Sequence, residues 1–121
     1  MSFSEPDLAA LAAAEEIDIE TRAADGAVHL TIVWVMVRDG VVYLRSVKGP
    51  SGRWYREALA DPSVALHVDG RRIAARTVPA MDPASVEACS EGLRDKYKGS
   101  YSLAAMLVDS VLPTTLRLEA A

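Results

Sequence analysis

The chain has 121 residues, half of them hydrophobic, and a formal net charge of −4. An acidic molecule is repelled by a polyphosphate, so the charge argues against a nucleic-acid-binding protein. No apolar run approaches the roughly 20 residues of a membrane span, and the first residues lack the basic-then-apolar order of a signal peptide. We therefore expect a cytoplasmic protein with no membrane contact, forming a single domain over residues 1–121.

A leading helix is predicted over residues 1–15. Ser4 is a suitable N-cap, Pro6 falls in the first turn, and an alanine-rich segment follows. From residue 17 the hydrophobic pattern changes to a period of two, because apolar or β-branched residues alternate with charged ones over 17–22. This alternation is typical of a half-buried strand.

The main strands of a barrel are predicted over residues 17–79. Asp39-Gly40 and Asp69-Gly70 are two-residue hairpin signals between runs rich in β-branched residues. The run 28–37 is apolar on both faces toward its end, so we expect it to be a central strand, covered on both sides, in a three-stranded meander. A short helix is predicted over 51–60, between the two hairpins.

Two further elements complete the predicted domain. Over 82–98 the apolar residues recur at helical spacing and include Cys89, which we therefore expect in the core. A short helical stretch is predicted over 103–108, and a closing strand over 113–119. The order of elements predicts an α+β domain built around an antiparallel barrel with short flanking helices.

The stretch from Arg45 to Arg56 holds four cations and no acid. Such a cluster repels itself unless an anion lies among the charges or water screens them. If the preceding strand ends near Ser46, the backbone N–H groups before Gly49 could join the cations in a phosphate-binding nest. Solvated surface cations beside a turn are the alternative interpretation, and spacing alone does not separate the two.

No catalytic residue can be assigned from motifs. The sequence contains no Ser-His-Asp order, Walker loop or glycine-rich dinucleotide loop. His29 and His67 lie in different predicted strands without a third ligand at metal spacing, and the single cysteine can form neither an internal disulfide nor a cysteine-based metal site, so no metal is predicted. Aromatic residues could instead form the wall of a site for a flat ligand, although core packing is their commoner role: Trp34, Trp54, Tyr55, Tyr97 and Tyr101.

The run VVYLRSVKGPSGRWYREALADPSVALHV resembles the centre of the pyridoxamine-phosphate-oxidase-like split barrels, whose members bind FMN, deazaflavin F420 or heme. The segments IVWVMVRDGVVYLRS, GRWYREAL, DKYKGSY and TTLRL resemble more closely a bacterial subgroup, domain of unknown function 2255. The resemblance implies a six-stranded antiparallel split β-barrel that forms a homodimer with cofactor sites at the subunit interface. GRWYREAL replaces the threonine-rich segment of the oxidases, so the oxidase reaction itself is not implied.

The resemblance also implies that basic and hydroxyl residues at the end of the third strand hold the cofactor phosphate. With the neighbouring residues of the basic stretch, the predicted cofactor-binding set is Arg45, Ser46, Val47, Lys48, Gly49, Arg53, Trp54, Tyr55 and Arg56. The favoured function is a protein that binds FMN or F420 and acts as an oxidoreductase on a small molecule. The alternatives are a cofactor-free binding protein or pocket enzyme for a small anionic metabolite, and a structural dimer with solvated cations.

Overall fold

The computed structural model describes residues 2–121. Its three α-helices are α1 (Glu5–Ala13), α2 (Arg53–Ala60) and α3 (Pro83–Lys96). Its seven strands are β1 (Ile17–Arg22), β2 (Val28–Val33), β3 (Met36–Arg38), β4 (Val41–Leu44), β5 (Ser63–Val68), β6 (Arg71–Pro79) and β7 (Leu116–Ala120). Short 3-10 turns lie at Gly49–Ser51, Leu103–Met106 and Leu112–Thr114. Over these residues no helix combines the length and apolarity that a membrane crossing requires.

Two of the three helices begin with a side-chain cap. Ser4 Oγ accepts a hydrogen bond from the Asp7 N–H (3.2 Å) at α1, and the Asp82 carboxylate accepts one from the Ser85 N–H (3.0 Å) at α3. By contrast, the N-cap of α2 is Gly52, which has no side chain to accept a hydrogen bond. The first N–H groups of α2 are therefore available to another acceptor.

All neighbouring strands pair antiparallel, in the order β2-β1-β5-β6-β7-β4-β3. β2 and β3 lie at opposite edges of this sheet, although only Trp34 and Val35 separate them in the chain. The sheet must therefore roll up until its two edges meet, which produces a split barrel. The single strand predicted over 28–37 is bent into two, and this bend accounts for seven strands where six were predicted.

The prediction that the 28–37 strand is central and covered on both sides was wrong, although the hairpin pairings of the predicted meander are present, β1 with β2 and β3 with β4. β2 is an edge strand, and its outward side chains Val28, Leu30 and Ile32 are 52%, 56% and 65% exposed. Their apolar character indicated a second covered face, but no element of the described chain packs on it. Side chains of β2 that point inward contact the barrel interior, where Val33 is buried.

The bend at Trp34 and Val35 is held by the last residues of α3 and the residue after it. The Val35 N–H donates to Tyr97 Oη (3.2 Å), and Lys96 Nζ donates to the Val35 carbonyl (2.7 Å). The Tyr97 hydroxyl donates to the Glu15 carbonyl (2.6 Å), and its ring stacks on Trp34 with centroids 3.8 Å apart. Burial raises the pKa of Tyr97 to about 12 and lowers the pKa of Lys96 to about 8.

Two apolar clusters make up the core. The larger fills the barrel and includes Leu11 of α1 and Trp54 of α2. The smaller lies between α3 and the strands β3 and β4, and contains Met36, Tyr43, Cys89, Leu93, Tyr97 and Met106. The prediction that Cys89 is a core residue is confirmed, because it is fully buried and burial raises the pKa of its thiol to about 11.

Candidate functional site

The basic stretch begins where β4 ends, at Leu44. Residues 46–49 form a turn in which the Gly49 N–H donates to the Ser46 carbonyl (3.0 Å) and the Ser46 hydroxyl donates to the Gly49 carbonyl (2.8 Å). The Ser46 N–H donates to Thr114 Oγ1 (3.0 Å). Both donors of Ser46 are therefore used inside the protein, and the hydroxyl that was predicted to bind a phosphate stabilises the turn instead.

Glycine is required at two positions around this turn. Gly49 has a φ of +67°, in the left-handed region that L side chains rarely adopt. At Gly52 the requirement is space, since a Cβ there would lie 2.5 Å from Ser46 Oγ. This close approach places the uncapped N-terminus of α2 directly beside the turn.

Arg45 is buried beneath α3, with 1% of its surface exposed. Its guanidinium donates at 3.0 Å to four oxygens, those of Thr115 Oγ1, Ser90 Oγ, the Met106 carbonyl and the Val86 carbonyl. Arg45 shares a face of the chain with Tyr43, and α3 covers that face. Burial lowers the pKa of Arg45 from its ordinary value. The structure uses this cation as an internal crosslink, whereas the sequence predicted a phosphate ligand.

Several other predicted residues do meet, around an open cavity of about 380 Å³ that we call the cation cavity. It is lined by Thr31, Ile32, Ser46, Val47, Lys48, Gly52, Arg53 and Trp54. Lys48 and Arg53 are exposed, and neither forms a salt bridge within residues 2–121. The hydroxyl of Thr31 is buried and has no hydrogen-bond partner in the same part of the chain. The cavity thus combines two unpaired cations with the uncapped N-terminus of α2, and the unpaired Thr31 hydroxyl is buried in its β2 wall.

A second cavity of about 270 Å³, which we call the aromatic cavity, adjoins the first. It is lined by Glu16, Ile32, Val33, Trp34, Arg45, Val47, Trp54, Ser102 and Met106. Ile32, Val47 and Trp54 line both cavities, so the two form one groove. The groove is cationic at one end and apolar with two indole rings at the other. This polarity suits a ligand with an anionic group attached to a flat apolar one.

The structure separates the nine predicted cofactor-binding residues into three groups. Ser46, Val47, Lys48, Arg53 and Trp54 line the cation cavity, while Arg45 reaches only the wall of the aromatic cavity. Gly49, Tyr55 and Arg56 line neither cavity. Tyr55 is buried with its ring edge-on to Trp54, and Arg56 Nε donates to the Ser51 carbonyl (3.2 Å).

Sequence reasoning missed the contribution of β2 to the site. Thr31 and Ile32 belong to an apolar run that was interpreted as a covered central strand, and they lie opposite the turn only because the sheet rolls up. One signal was available, since Thr31 carries the one hydroxyl within residues 30–37, which are otherwise apolar. Among residues 2–121, no three His, Cys, Asp or Glu side chains cluster closely enough to hold a metal ion.

Solved structures with the same fold extend over almost the whole chain. A conserved hypothetical protein, Rv2991 from Mycobacterium tuberculosis, is 18% identical, with a TM-score of 0.71 over 99% of this chain and 82% of its own. HutZ, the heme storage protein from Vibrio cholerae, is 12% identical, with a TM-score of 0.68 over 100% and 92%. An F420 reductase is 19% identical, with a TM-score of 0.61 over 93% and 91%. At these identities the likeness shows the fold, which is the split barrel of the pyridoxamine-phosphate-oxidase-like proteins.

The sequence itself matches one protein family. Comparison with curated proteins gave no match. The family model described as "uncharacterized protein conserved in bacteria", domain of unknown function 2255, matches residues 7–118. This match includes every residue that lines the two cavities. The chain therefore belongs to this bacterial family, which its sequence motifs had already been found to resemble.

Proposed function

We propose that this protein binds a flavin-type cofactor, FMN or deazaflavin F420, with the phosphate in the cation cavity and the ring system in the aromatic cavity. One observation carries the proposal: the unpaired cations Lys48 and Arg53 line the same cavity as the uncapped N-terminus of α2. Helix N-termini bind anions because their N–H groups point outward and the helix dipole favours negative charge. The adjoining apolar cavity with Trp34 and Trp54 supplies a surface for a flat ring.

Each residue has a definite task in this arrangement. Arg53 can offer two N–H groups to a phosphate, and Lys48 adds a point charge from the opposite side of the turn. Thr31 forms part of the β2 wall of the cavity. Ile32 and Val47, on the shared wall, offer apolar contacts to the part of the ligand between phosphate and ring. A bound flavin or deazaflavin would supply hydride chemistry, so we propose an oxidoreductase acting on a small molecule.

The positions of the two histidines favour a flavin-type cofactor over heme. The structural relatives include proteins whose names refer to F420 and to heme. Neither His29 nor His67 lines either cavity of this chain. Heme iron is commonly held by a histidine, and the described site offers none, whereas a phosphate-bearing cofactor matches the cations it does offer.

Titration of FMN and F420 into the purified protein tests this assignment. Charged hydrogen bonds contribute about 1.5–3 kcal/mol each, so Lys48→Ala or Arg53→Ala is expected to weaken binding about 10- to 100-fold. Arg56→Ala is the matched control, because it removes an exposed arginine from the same helix without touching the groove. The proposal would be contradicted if neither cofactor bound the wild-type protein. It would also be contradicted if Arg53→Ala and Arg56→Ala weakened cofactor binding equally.

A small anionic metabolite bound without a cofactor is the second candidate. It is favoured by the packing of the aromatic residues, since Trp54 is buried and one face of Trp34 is already stacked on Tyr97. The absorption spectrum of the purified protein separates the two functions. Flavins and deazaflavins absorb visible or near-ultraviolet light and an anionic metabolite does not, so a colourless protein that still binds phosphate esters would favour this candidate.

We also propose that the protein is a homodimer, joined through the outer face of β2. Leu30 and Ile32 on this edge strand are more than half exposed, as is the neighbouring Val47. Exposed apolar side chains in a continuous patch are typical of an interface. Because Ile32 and Val47 also line the groove, a second subunit on this face would cover the open side of the ligand site.

Sedimentation equilibrium at micromolar concentration is expected to show a dimer. Leu30→Asp should give a monomer, since it places a charge in the centre of the proposed interface without altering the groove. Leu59→Asp is the control, because Leu59 is an exposed leucine on α2 (45%) outside the patch. A wild-type monomer at this concentration would refute the dimer, and dissociation by Leu59→Asp but not by Leu30→Asp would refute the assignment of the interface to β2.

A further inference from the structure

His29 and Glu57 form a hydrogen-bonded pair on β2 and α2, the two elements that line the cation cavity. His29 Nδ1 lies 2.9 and 3.0 Å from the two carboxylate oxygens of Glu57. Thr21 Oγ1 donates a third hydrogen bond to the same carboxylate (2.7 Å). Burial raises the pKa of Glu57, but the hydrogen bonds from His29 and Thr21 outweigh it and leave that pKa below its ordinary value. The Glu57 carboxylate is therefore ionised at neutral pH.

An ionised carboxylate accepts hydrogen bonds and cannot donate them, so Nδ1 of His29 carries the proton. The Nε2 atom of the ring has no partner within residues 2–121, and the side chain is 29% exposed. This leaves Nε2 free to gain or lose a proton. When the His29 imidazole is protonated, its positive charge cancels the negative charge of Glu57 and the pair is neutral. When the imidazole is neutral, the pair carries the negative charge of Glu57.

The pair adjoins the cation cavity on two elements. His29 and Thr31 are two residues apart on the inward face of β2, about 6.5 Å along the strand, and Thr31 lines the cavity. On α2, Glu57 follows Arg53 by four residues, so the two side chains lie on the same side of the helix. Any anion between Lys48 and Arg53 therefore experiences the charge of this pair.

We infer that the groove binds its anion together with one proton, which is taken up by His29. This inference rests on the proposed anion site and adds that the ligand is an anion bound preferentially at acidic pH. In the described part of the chain, the other charged group near the pair is Arg53 of α2. The residue of β1 that contacts the pair, Thr21, is uncharged. On the neighbouring positions of β1, Glu20 and Arg22 point to the opposite face of the sheet, where Glu20 bonds Arg72 and His67.

The sign of the pH dependence follows from these charges. As pH rises and the imidazole loses its proton, the uncompensated Glu57 charge repels an anion in the cavity. Histidine is the side chain whose charge changes between pH 5 and 8, so the affinity falls across this range. A unit charge on elements that line the cavity, partly screened by solvent, is expected to change the affinity about five- to tenfold.

Sulfate is a suitable probe, because its own charge is constant between pH 5 and 8. We expect sulfate to bind about five- to tenfold more tightly at pH 5.5 than at pH 8. Calorimetry in buffers of different ionisation enthalpy should show proton uptake on binding. In His29→Gln both the pH dependence and the proton uptake should disappear. His67→Gln is the matched control, since His67 pairs with Glu20 in the same way (2.8 Å) but lies away from the groove.

A second measurement needs no variant. In wild-type protein followed by NMR, sulfate should shift the midpoint of the His29 titration upward and leave that of His67 unchanged. Sulfate binding that is weakened by Arg53→Ala but independent of pH would overturn the proton linkage and leave the proposed site standing. Equal effects of His29→Gln and His67→Gln would also overturn it. Sulfate binding that Lys48→Ala and Arg53→Ala do not affect would refute the anion site itself.

Discussion

Replacing Arg45 with alanine is expected to lower the free energy of unfolding by about 3–5 kcal/mol. The guanidinium is buried and bonds two hydroxyls and two carbonyls, which belong to α3 and to the segment between α3 and β7. Truncation leaves these oxygens without a donor and opens a cavity of several methylene groups. The loss should exceed that of any exposed arginine, because water cannot readily replace the missing donors.

Urea denaturation of wild type, Arg45→Ala and Arg45→Lys measures this effect. Lysine restores the charge and one or two bonds but cannot reach four acceptors in a plane, so its stability should fall between the other two. Arg56→Ala, which removes an exposed guanidinium, should cost less than about 1 kcal/mol. If Arg45→Ala lost no more stability than Arg56→Ala while losing cofactor binding, Arg45 would be a ligand-binding residue, as its position in the sequence had suggested.

The contrast between Arg45 and Lys48 shows how far the sequence could predict the site. The end of β4 and the turn that carries the cations could be predicted, because strand alternation and turn signals are short-range features. Alternation also placed Arg45 on the same face as Tyr43. Nothing local showed that α3 would cover that face, since α3 lies some forty residues further along the chain. The burial of Arg45 is therefore a tertiary effect.

The same limit applies to β2. Its sequence predicts a strand, and its two apolar faces favoured a central position in the sheet. The bend at Trp34 and Val35 depends on bonds from Lys96 and Tyr97, about sixty residues away. Without this bend Thr31 would not face the turn that carries Lys48. The half of the cation cavity formed by β2 could therefore not be predicted from local pattern, although the half formed by the turn and α2 could.

The bend makes Tyr97 the second position where a large effect is expected. Tyr97→Ala should lower the free energy of unfolding by about 3–5 kcal/mol, because it removes a buried ring stacked on Trp34 and two hydrogen bonds at the bend. Tyr97→Phe keeps the ring and the stack and removes only the hydroxyl. Its expected cost is about 1–2 kcal/mol, since the Val35 N–H and the Glu15 carbonyl lose their partner.

The two variants should also separate the two ends of the groove. Trp34 and Val33 line the aromatic cavity, so loss of the Tyr97 ring should weaken binding of a ring-bearing cofactor about tenfold or more at a temperature where the variant is folded. Sulfate affinity should fall less than cofactor affinity, because Lys48, Arg53 and α2 do not depend on the stack and only the β2 wall of the cation cavity does. Tyr97→Phe should bind both ligands like the wild type. Equal losses of sulfate and cofactor affinity in folded Tyr97→Ala would show that the bend positions the whole groove, and would contradict the assignment of ring and phosphate to separate cavities.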